Sequence, residues 1–206
     1  AYVFVRSGST FSQQAKLTAS DGGVNHYFGS GVAVDGDDAL VGSRGAKVKS
    51  KYAGAAYLFT RTGTSWSLQQ KITANDSAYG DYLGTSVSLD GDTAMAGAEW
   101  EDDRGNGSGS AYLFTRTGTA WSQQAKLTAA DGGGSDNFGL VVTVDRDAEL
   151  VGPFPADGAG THAGAANALF SNRTTRSQTP ETIRHAAGGG LARTIITAAH
   201  TARATR

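Results

Sequence analysis

A period of 55 residues recurs along this chain without insertions, and no other feature constrains its fold as strongly. Residues 56–64 return unchanged as residues 111–119, and a diverged copy at residues 1–6 opens the chain. Fixed periods of about 40 to 50 residues are typical of propeller blades and related arrays, in which each repeat is one small structural unit. The repeats therefore run over residues 1–55, 56–110 and 111–165.

Each repeat contains four short segments with the composition and alternation of β-strands. In the second period, taken from residue 56, they are residues 56–61, 66–73, 83–89 and 93–98. The turn residues between the first two and between the last two predict hairpins. The chain has 29 glycines and only 3 prolines in 206 residues, which also favours many short strands. The predicted fold class is all-β, with blades of four antiparallel strands.

Residues that keep their type in all three copies are predicted to be structural. The sets are Gly29, Gly84 and Gly139; Gly42, Gly97 and Gly152; Phe11, Trp66 and Trp121; Leu17, Ile72 and Leu127; and Lys16, Lys71 and Lys126. Glycine inside a strand indicates a bulge or a close approach of another backbone. We expect the aromatic and aliphatic sets to form the core between blades, and the lysines to lie on the solvent face of the hairpin.

A two-part motif carries a family resemblance. Phe28-Gly29 is followed about a dozen residues later by Gly42-Ser43-Arg44, and the pattern recurs as Leu83-Gly84 with Gly97-Ala98-Glu99 and as Phe138-Gly139 with Gly152-Pro153-Phe154. It resembles the FG-GAP repeat family in its bacterial form, over residues 1 to about 170. The resemblance implies one β-propeller blade per repeat, as in the integrin α-subunit head. It also implies an extracellular or cell-surface protein that binds partners, and it does not imply an enzyme.

The resemblance also implies where the blades divide. The innermost strand of a blade lies at residues 84–89, followed outward by residues 93–98, 111–116 and 121–128. The sequence then holds the outer half of one blade, two whole blades and the inner half of another, ending near Phe170. Closed propellers have about four to eight blades. The resemblance thus predicts a partial propeller, completed by the rest of a longer chain or by a homo-oligomer.

Acidic and aromatic side chains cluster in the loops that precede the innermost strand of each blade. These candidate ligand-binding residues are Asp21, His26, Tyr27, Asp76, Tyr79, Asp81, Tyr82, Asp131 and Asp136. Equivalent loops lie on one face of a propeller, and such a face suits a protein or glycan ligand. The alternative, which we prefer for each Asp, is that the carboxylate caps its own loop.

A second acidic cluster precedes residue 111. Integrin-type blades often bind calcium, a hard cation that takes six to eight oxygen ligands. The candidate ligands here are Glu99, Glu101, Asp102, Asp103 and Asn106, although the family's regular Asp spacing is missing. A solvated acidic loop is the preferred interpretation. The paired Asp residues at 35 and 37, 90 and 92, and 145 and 147 are interpreted as hairpin turns rather than as metal sites.

Several function classes lack their sequence signals. There is no cysteine, no His-Glu-x-x-His motif, no phosphate-binding loop and no apolar run of about 18 residues that would predict membrane insertion. Residues 1–170 hold 12 Lys and Arg against 18 Asp and Glu, an acidic balance that argues against binding nucleic acid. Residues 171–206, with six Arg and one Glu, form a basic, low-complexity tail that we expect to be poorly ordered or a short helix.

With these signals missing, the family resemblance leads to two candidate functions. The first is a non-enzymatic extracellular or cell-surface module for adhesion or ligand binding through the loops on one propeller face. The second is a structural spacer or scaffold within a larger surface protein. The sequence implies no certain cofactor, calcium being the candidate.

Overall fold

The computed structural model describes residues 1–145, 148–152 and 167–170, the last four by their strand pairing alone. Within these residues there are fifteen strands and no helix, and so no helix that could cross a membrane. The strands are β1 (Tyr2–Ser7), β2 (Thr10–Lys16), β3 (Phe28–Asp35), β4 (Asp38–Ser43), β5 (Lys47–Val48), β6 (Lys51–Tyr52), β7 (Ala55–Thr62), β8 (Ser65–Ile72), β9 (Val87–Asp90), β10 (Thr93–Ala98), β11 (Ser110–Thr117), β12 (Ala120–Leu127), β13 (Val141–Asp145), β14 (Ala148–Gly152) and β15 (Asn167–Phe170).

The strands form four successive antiparallel units. β1 and β2 make an N-terminal hairpin, β3-β4-β7-β8 a first full blade, β9-β10-β11-β12 a second full blade, and β13-β14-β15 a C-terminal sheet. β5 and β6 form a short ribbon inside the β4–β7 loop. The prediction of an all-β partial propeller with four-stranded blades is confirmed, and the C-terminal sheet has a third strand beyond the predicted inner half.

The hydrophobic core lies between neighbouring units. Leu17 of the N-terminal hairpin packs in one cluster with Val41 and Tyr57 of the first full blade. Leu58 of that blade shares the next cluster with Phe114 and Trp121 of the second full blade, and a third cluster joins this blade to the C-terminal sheet. Alternate residues along one strand therefore pack against different neighbours, as the pleat requires.

The repeated glycines mark the places where two backbones meet. A Cβ added to Gly42 would lie 2.0 Å from the carbonyl oxygen of Gly84, and one added to Gly97 would lie 1.8 Å from that of Gly139. Gly84 and Gly139 have positive φ, 89° and 92°, which a residue with a Cβ adopts only with strain. The two halves of the motif thus form one contact, in which the second glycine of a blade touches the first glycine of the next.

Three sequence predictions need correction. The strand predicted to start at residue 83 begins only at Val87, because the left-handed Gly84 turns the chain before it. Phe11, predicted to lie in the core, is exposed, since no described sheet covers that side of the N-terminal hairpin. Lys126, predicted to lie on the solvent face, is instead surrounded by carboxylates. The turn at residues 146–147 and the tail 171–206 lie outside the described residues.

Candidate functional site

The long loops of the two full blades meet at one end of the sheets. Gly45 donates a backbone hydrogen bond to the carbonyl of His26, and Gly80 donates one to Tyr52. The loop at residues 44–54 therefore contacts both the loop before β3 and the loop before β9. Trp100 extends the surface, since its N–H lies 3.4 Å from the carbonyl oxygen of Asp81. The predicted gathering of these loops is observed, and we call this end of the blades the loop face.

Two of the predicted loop carboxylates make capping contacts. The Oδ2 atom of Asp81 accepts the N–H of Ala78 at 2.6 Å, and that of Asp136 accepts the N–H of Gly133 at 2.6 Å. His26 takes the same repeat position in the first loop, where it is buried, lies edge-on to the ring of Tyr52, and has no partner for Nδ1. The Asp side chains at this position thus order the loop in the way the capping alternative describes.

The other repeated carboxylate pairs with the repeated lysine. In the first loop, Asp21 accepts hydrogen bonds from Lys71 Nζ and from the hydroxyl of Tyr57, both at 2.7 Å. The ammonium group of Lys71 also lies 5.5 Å from the centre of the Tyr57 ring. Asp131 is exposed at the matching position of the last loop. The lysine side chain therefore ties the outer hairpin of a blade to the loop of the unit before it.

The same arrangement in the next loop is larger. Lys126 Nζ lies 2.7 Å from Asp76, 2.9 Å from Glu101 and 2.5 Å from Asp103, and 5.6 Å from the centre of the Tyr112 ring. One ligand oxygen from each of the three carboxylates lies within 4.8 Å of the others, a spacing that suits a bound cation. In this structure the cation at the centre is the lysine ammonium group.

The electrostatics of the cluster follow from this geometry. Burial of Lys126 lowers the pKa of its ammonium group. The hydrogen bonds to Asp103, Asp76 and Glu101 have the larger effect together, and they raise this pKa well above the usual range. The hydrogen bond from Lys126 lowers the pKa of Asp103. Desolvation raises the pKa of the Tyr112 hydroxyl, which stays neutral. Lys126 is therefore held as a permanent cation among the three carboxylates.

The five candidate calcium ligands do not converge on one point. Glu101 and Asp103 join the Lys126 cluster, whereas Glu99 is buried with its carboxylate 3.4 Å from the hydroxyl of Thr85. The remaining two stabilise the loop. Asp102 accepts the N–H of Gly107 at 2.8 Å, and the carbonyl of Asn106 accepts the N–H of Ser135 at 2.8 Å. Three of the five thus have other partners, and the other two contact an ammonium group.

Asp81 has a perturbed acidity. Burial is the main cause, and the negative charges of Glu101 and Asp76 add to it, so that the pKa of Asp81 rises to about 6 although the hydrogen bond from Ala78 acts in the opposite direction. Above that pH the loop holds a buried negative charge close to two others. The charge of this carboxylate on the loop face consequently changes at about pH 6.

Aromatic side chains cover the outer surface of the loop face. Tyr27, Tyr79 and Trp100 are exposed, and Tyr82 is half-buried with its ring edge-on to Trp100 at 6.5 Å between centres. The guanidinium group of Arg44 stacks 4.9 Å from the centre of the Tyr27 ring. The sequence prediction included the three tyrosines and missed Trp100. The available signal was a large aromatic residue in an otherwise polar loop.

The comparison with protein families follows the same periodicity. The family model of the FG-GAP repeat matches residues 11–59, 66–114 and 121–170, which is more than half of the chain. The chain belongs to the FG-GAP repeat family. No curated protein matches it.

In these FG-GAP repeats the loop carboxylates and the loop aromatics have different surroundings. Asp21, Asp76, Asp81 and Asp136 each contact a lysine or a backbone N–H of the chain. Such contacts occupy the acceptor oxygens and fix the loops. The aromatic rings, in contrast, present apolar area and polar hydroxyl or N–H groups to solvent. The FG-GAP loops therefore combine carboxylates that are held by internal contacts with aromatic rings that are exposed.

Proposed function

We propose that this chain is a non-enzymatic binding module of an extracellular or cell-surface protein, which holds a protein or glycan ligand on the loop face. The observation that supports the proposal is the exposure of Tyr27, Tyr79 and Trp100 on one set of contacting loops. Exposed apolar clusters rimmed by polar groups mark interaction sites on soluble proteins. Tyrosine and tryptophan contribute large contact area at a small entropic cost, since each has only two side-chain torsions.

The internal contacts of the carboxylates favour binding through the aromatic residues. A carboxylate such as Asp81 or Asp136 loses its capping contact if a ligand takes its oxygen, whereas a ring loses only its contact with water. An adhesive role follows if the ligand is fixed on another cell or on a matrix.

The test is binding of the full 206-residue chain to an immobilised glycan array and to a panel of surface proteins, with aromatic substitutions. We expect Trp100→Ala and Tyr79→Ala each to weaken retention about tenfold or more. Aromatic residues at the centre of an interface commonly contribute about 2 kcal/mol each to the free energy of binding. Leu68→Ala, at a partly exposed position on β8, is the matched control. Retention that is unchanged in both aromatic variants would overturn the proposal.

A scaffold role is the second candidate, and one observation favours it. In the first and second loops, Asp21, Asp76 and Asp81 bind a lysine, a tyrosine hydroxyl or a backbone N–H of the chain itself. These contacts stabilise the loops and the hairpins. If the chain only spaces other domains, the carboxylate variants lower stability and no aromatic variant changes any interaction. Absence of retention on both arrays, with normal folding by circular dichroism, supports this candidate over the first.

A further inference from the structure

The short ribbon of β5 and β6 carries a cluster of positive charge on the loop face. Lys47, Lys49 and Lys51 take every second position along residues 47–51, and all three are exposed. None of the three takes part in an ion pair within the described residues. We call these three residues the lysine ribbon.

Contacts on both sides fix the lysine ribbon between two loops. The carbonyl of Lys47 accepts a hydrogen bond from Lys71 Nζ at 2.8 Å. The carbonyl of Tyr52 accepts one from the N–H of Gly80, in the loop before β9, at 2.9 Å. On the other side, His26 of the loop before β3 lies edge-on to the Tyr52 ring. The backbone that carries the lysines is therefore ordered before any ligand binds, which lowers the entropic cost of binding.

The turn at the tip of the ribbon has a conformation that costs stability. Lys49 and Ser50 both have positive φ, 48° and 69°, as the two central residues of a type I′ hairpin turn do. Asparagine and glycine are favoured there, because the left-handed backbone is costly for other residues. The second full blade has Gly105 at the position of Ser50. A lysine at a strained and exposed tip, whose side chain has no described hydrogen bond or ion pair, indicates a role outside the fold.

The equivalent loop of the second full blade has a different charge. Asp102 stands at the position of Lys47, and Asn106 at that of Lys51. Asp102 serves its own loop, since its carboxylate accepts the N–H of Gly107 at 2.8 Å. Both loops connect equivalent strands of a four-stranded blade. The blade fold therefore does not require lysine at these positions.

Aromatic rings lie beside the lysine ribbon. The ammonium group of Lys47 lies 4.8 Å from the centre of the half-buried Tyr52 ring, and the exposed Tyr79 precedes Gly80 in the neighbouring loop. Aromatic rings present an apolar face to the C–H groups of a sugar ring, and ammonium groups bind acid groups by charge-assisted hydrogen bonds. The strands of the ribbon have two residues each, too short an edge for the addition of a peptide strand. These features favour a charged sugar chain over a peptide.

We propose that the lysine ribbon binds the acid groups of an anionic glycan, whose sugars carry carboxylate or sulfate groups. The proposal rests on the binding function proposed above and names the ligand class of the same loop face. Lys47, Lys49 and Lys51 bind the acid groups, and Tyr52 and Tyr79 contact the sugar rings.

The test is retention of the full 206-residue chain on two pairs of immobilised polysaccharides. Polygalacturonate is compared with its methyl ester, and dextran sulfate with dextran, so that each pair differs in its charged groups. We expect the chain to be retained on an acidic polymer, to pass through the neutral polymer of the same pair, and to be released as the salt concentration rises. The first pair reports recognition of carboxylate and the second recognition of sulfate.

Substitutions in the ribbon separate its charge from its fold. Lys49→Gln removes the charge, and Lys49→Gly removes both the charge and the left-handed strain. Each is expected to weaken retention about threefold, as for one exposed ion pair, and Lys49→Gly is expected to melt no lower than the wild type. Replacement of all three lysines by glutamine is expected to weaken retention more than about tenfold. Arg6→Gln, which removes one exposed positive charge from the N-terminal hairpin, is the matched control and is expected to change nothing.

Three results would overturn the proposal: equal retention on the acidic and neutral polymers, wild-type retention of the triple variant, or equal retention on immobilised single-stranded DNA, since charge alone would then suffice. Failure on all four polysaccharides would overturn it as well. If the chain then still binds another glycan or a surface protein through Trp100 and Tyr79, the binding function proposed above stands and only the anionic ligand is wrong.

Discussion

Substitution of Gly97 by alanine tests the backbone contact on which the blade interface depends. The added Cβ would lie 1.8 Å from the Gly139 carbonyl oxygen, about 1.6 Å closer than ordinary van der Waals contact allows. That oxygen belongs to the backbone and moves only with the C-terminal sheet. A shift of this size breaks the hydrogen bonds from Ser86 Oγ to Gly139 O, 2.7 Å, and from Val144 N to Ser88 Oγ, 3.0 Å.

Each lost hydrogen bond costs about 1 kcal/mol, and the loosened packing of Phe138 and its neighbours adds about 1 to 2 kcal/mol. Alanine recovers about 0.5 kcal/mol by restricting the unfolded chain. We therefore expect Gly97→Ala to lower the free energy of unfolding by about 3 kcal/mol. Urea unfolding measures this difference directly. Neither Gly97 nor Gly152 has positive φ, so backbone strain does not enter the comparison.

Gly152→Ala is the matched control, because it changes the same motif position where the added atom has room. We expect its free energy of unfolding to stay within about 0.5 kcal/mol of the wild type. If both variants lose the same stability, close packing of one blade on the next is not the reason for the glycine. The explanation of the motif given above would then be refuted.

Three further predictions concern the charged groups. Lys126→Met leaves Glu101 buried without its cation, so it should lower stability by about 2 kcal/mol; Lys71→Met, with the more exposed Asp21 as its carboxylate partner, should cost about 0.5 kcal/mol. Millimolar calcium should leave the wild-type melting temperature unchanged, since the ammonium group occupies the cluster, and a clear rise would contradict this. The pKa of Asp81 is raised from 3.8 to about 6 in the folded chain. The folded chain therefore binds this proton more tightly than the unfolded chain does. The buried charge of Asp81 lowers the stability of the fold above about pH 6, and this loss disappears below pH 3.8. Asp81→Asn should therefore gain about 1 to 2 kcal/mol relative to the wild type as the pH rises through that window in urea unfolding, and a constant difference would refute the assignment.

The fold was predictable because residues with a structural role recur at the same position of all three repeats. A glycine that returns at positions 42, 97 and 152 indicates a steric demand without any knowledge of its neighbour. The strand order followed from the family resemblance. What the sequence could not show was which copy lacks a neighbour. Phe11 has the same repeat position as Trp121, yet it is exposed and Trp121 is buried.

The candidate site was less predictable, because its contacts join different repeats. Lys126 and Asp76 are 50 residues apart, and only the packing of one blade's hairpin against the preceding loop brings them together. The repeated lysine was visible in the sequence, but its partners were not. Trp100 occurs at a position where the first repeat has Gly45, so comparison of the copies could not single it out as a conserved structural residue.

Positions at which the repeats agree can be told apart from positions at which they differ, and the two kinds have different surroundings in this molecule. Where blade packing imposes a demand, as at Gly42 and Gly97, the copies agree, since each faces the same backbone. On the loop face they differ: arginine at position 44 corresponds to glutamate at 99, and Gly45 to Trp100. A position that tolerates such changes carries no common packing role. Such a side chain can vary without disturbing the blades, and we propose that part of the ligand-binding surface, Trp100 above all, lies among these residues.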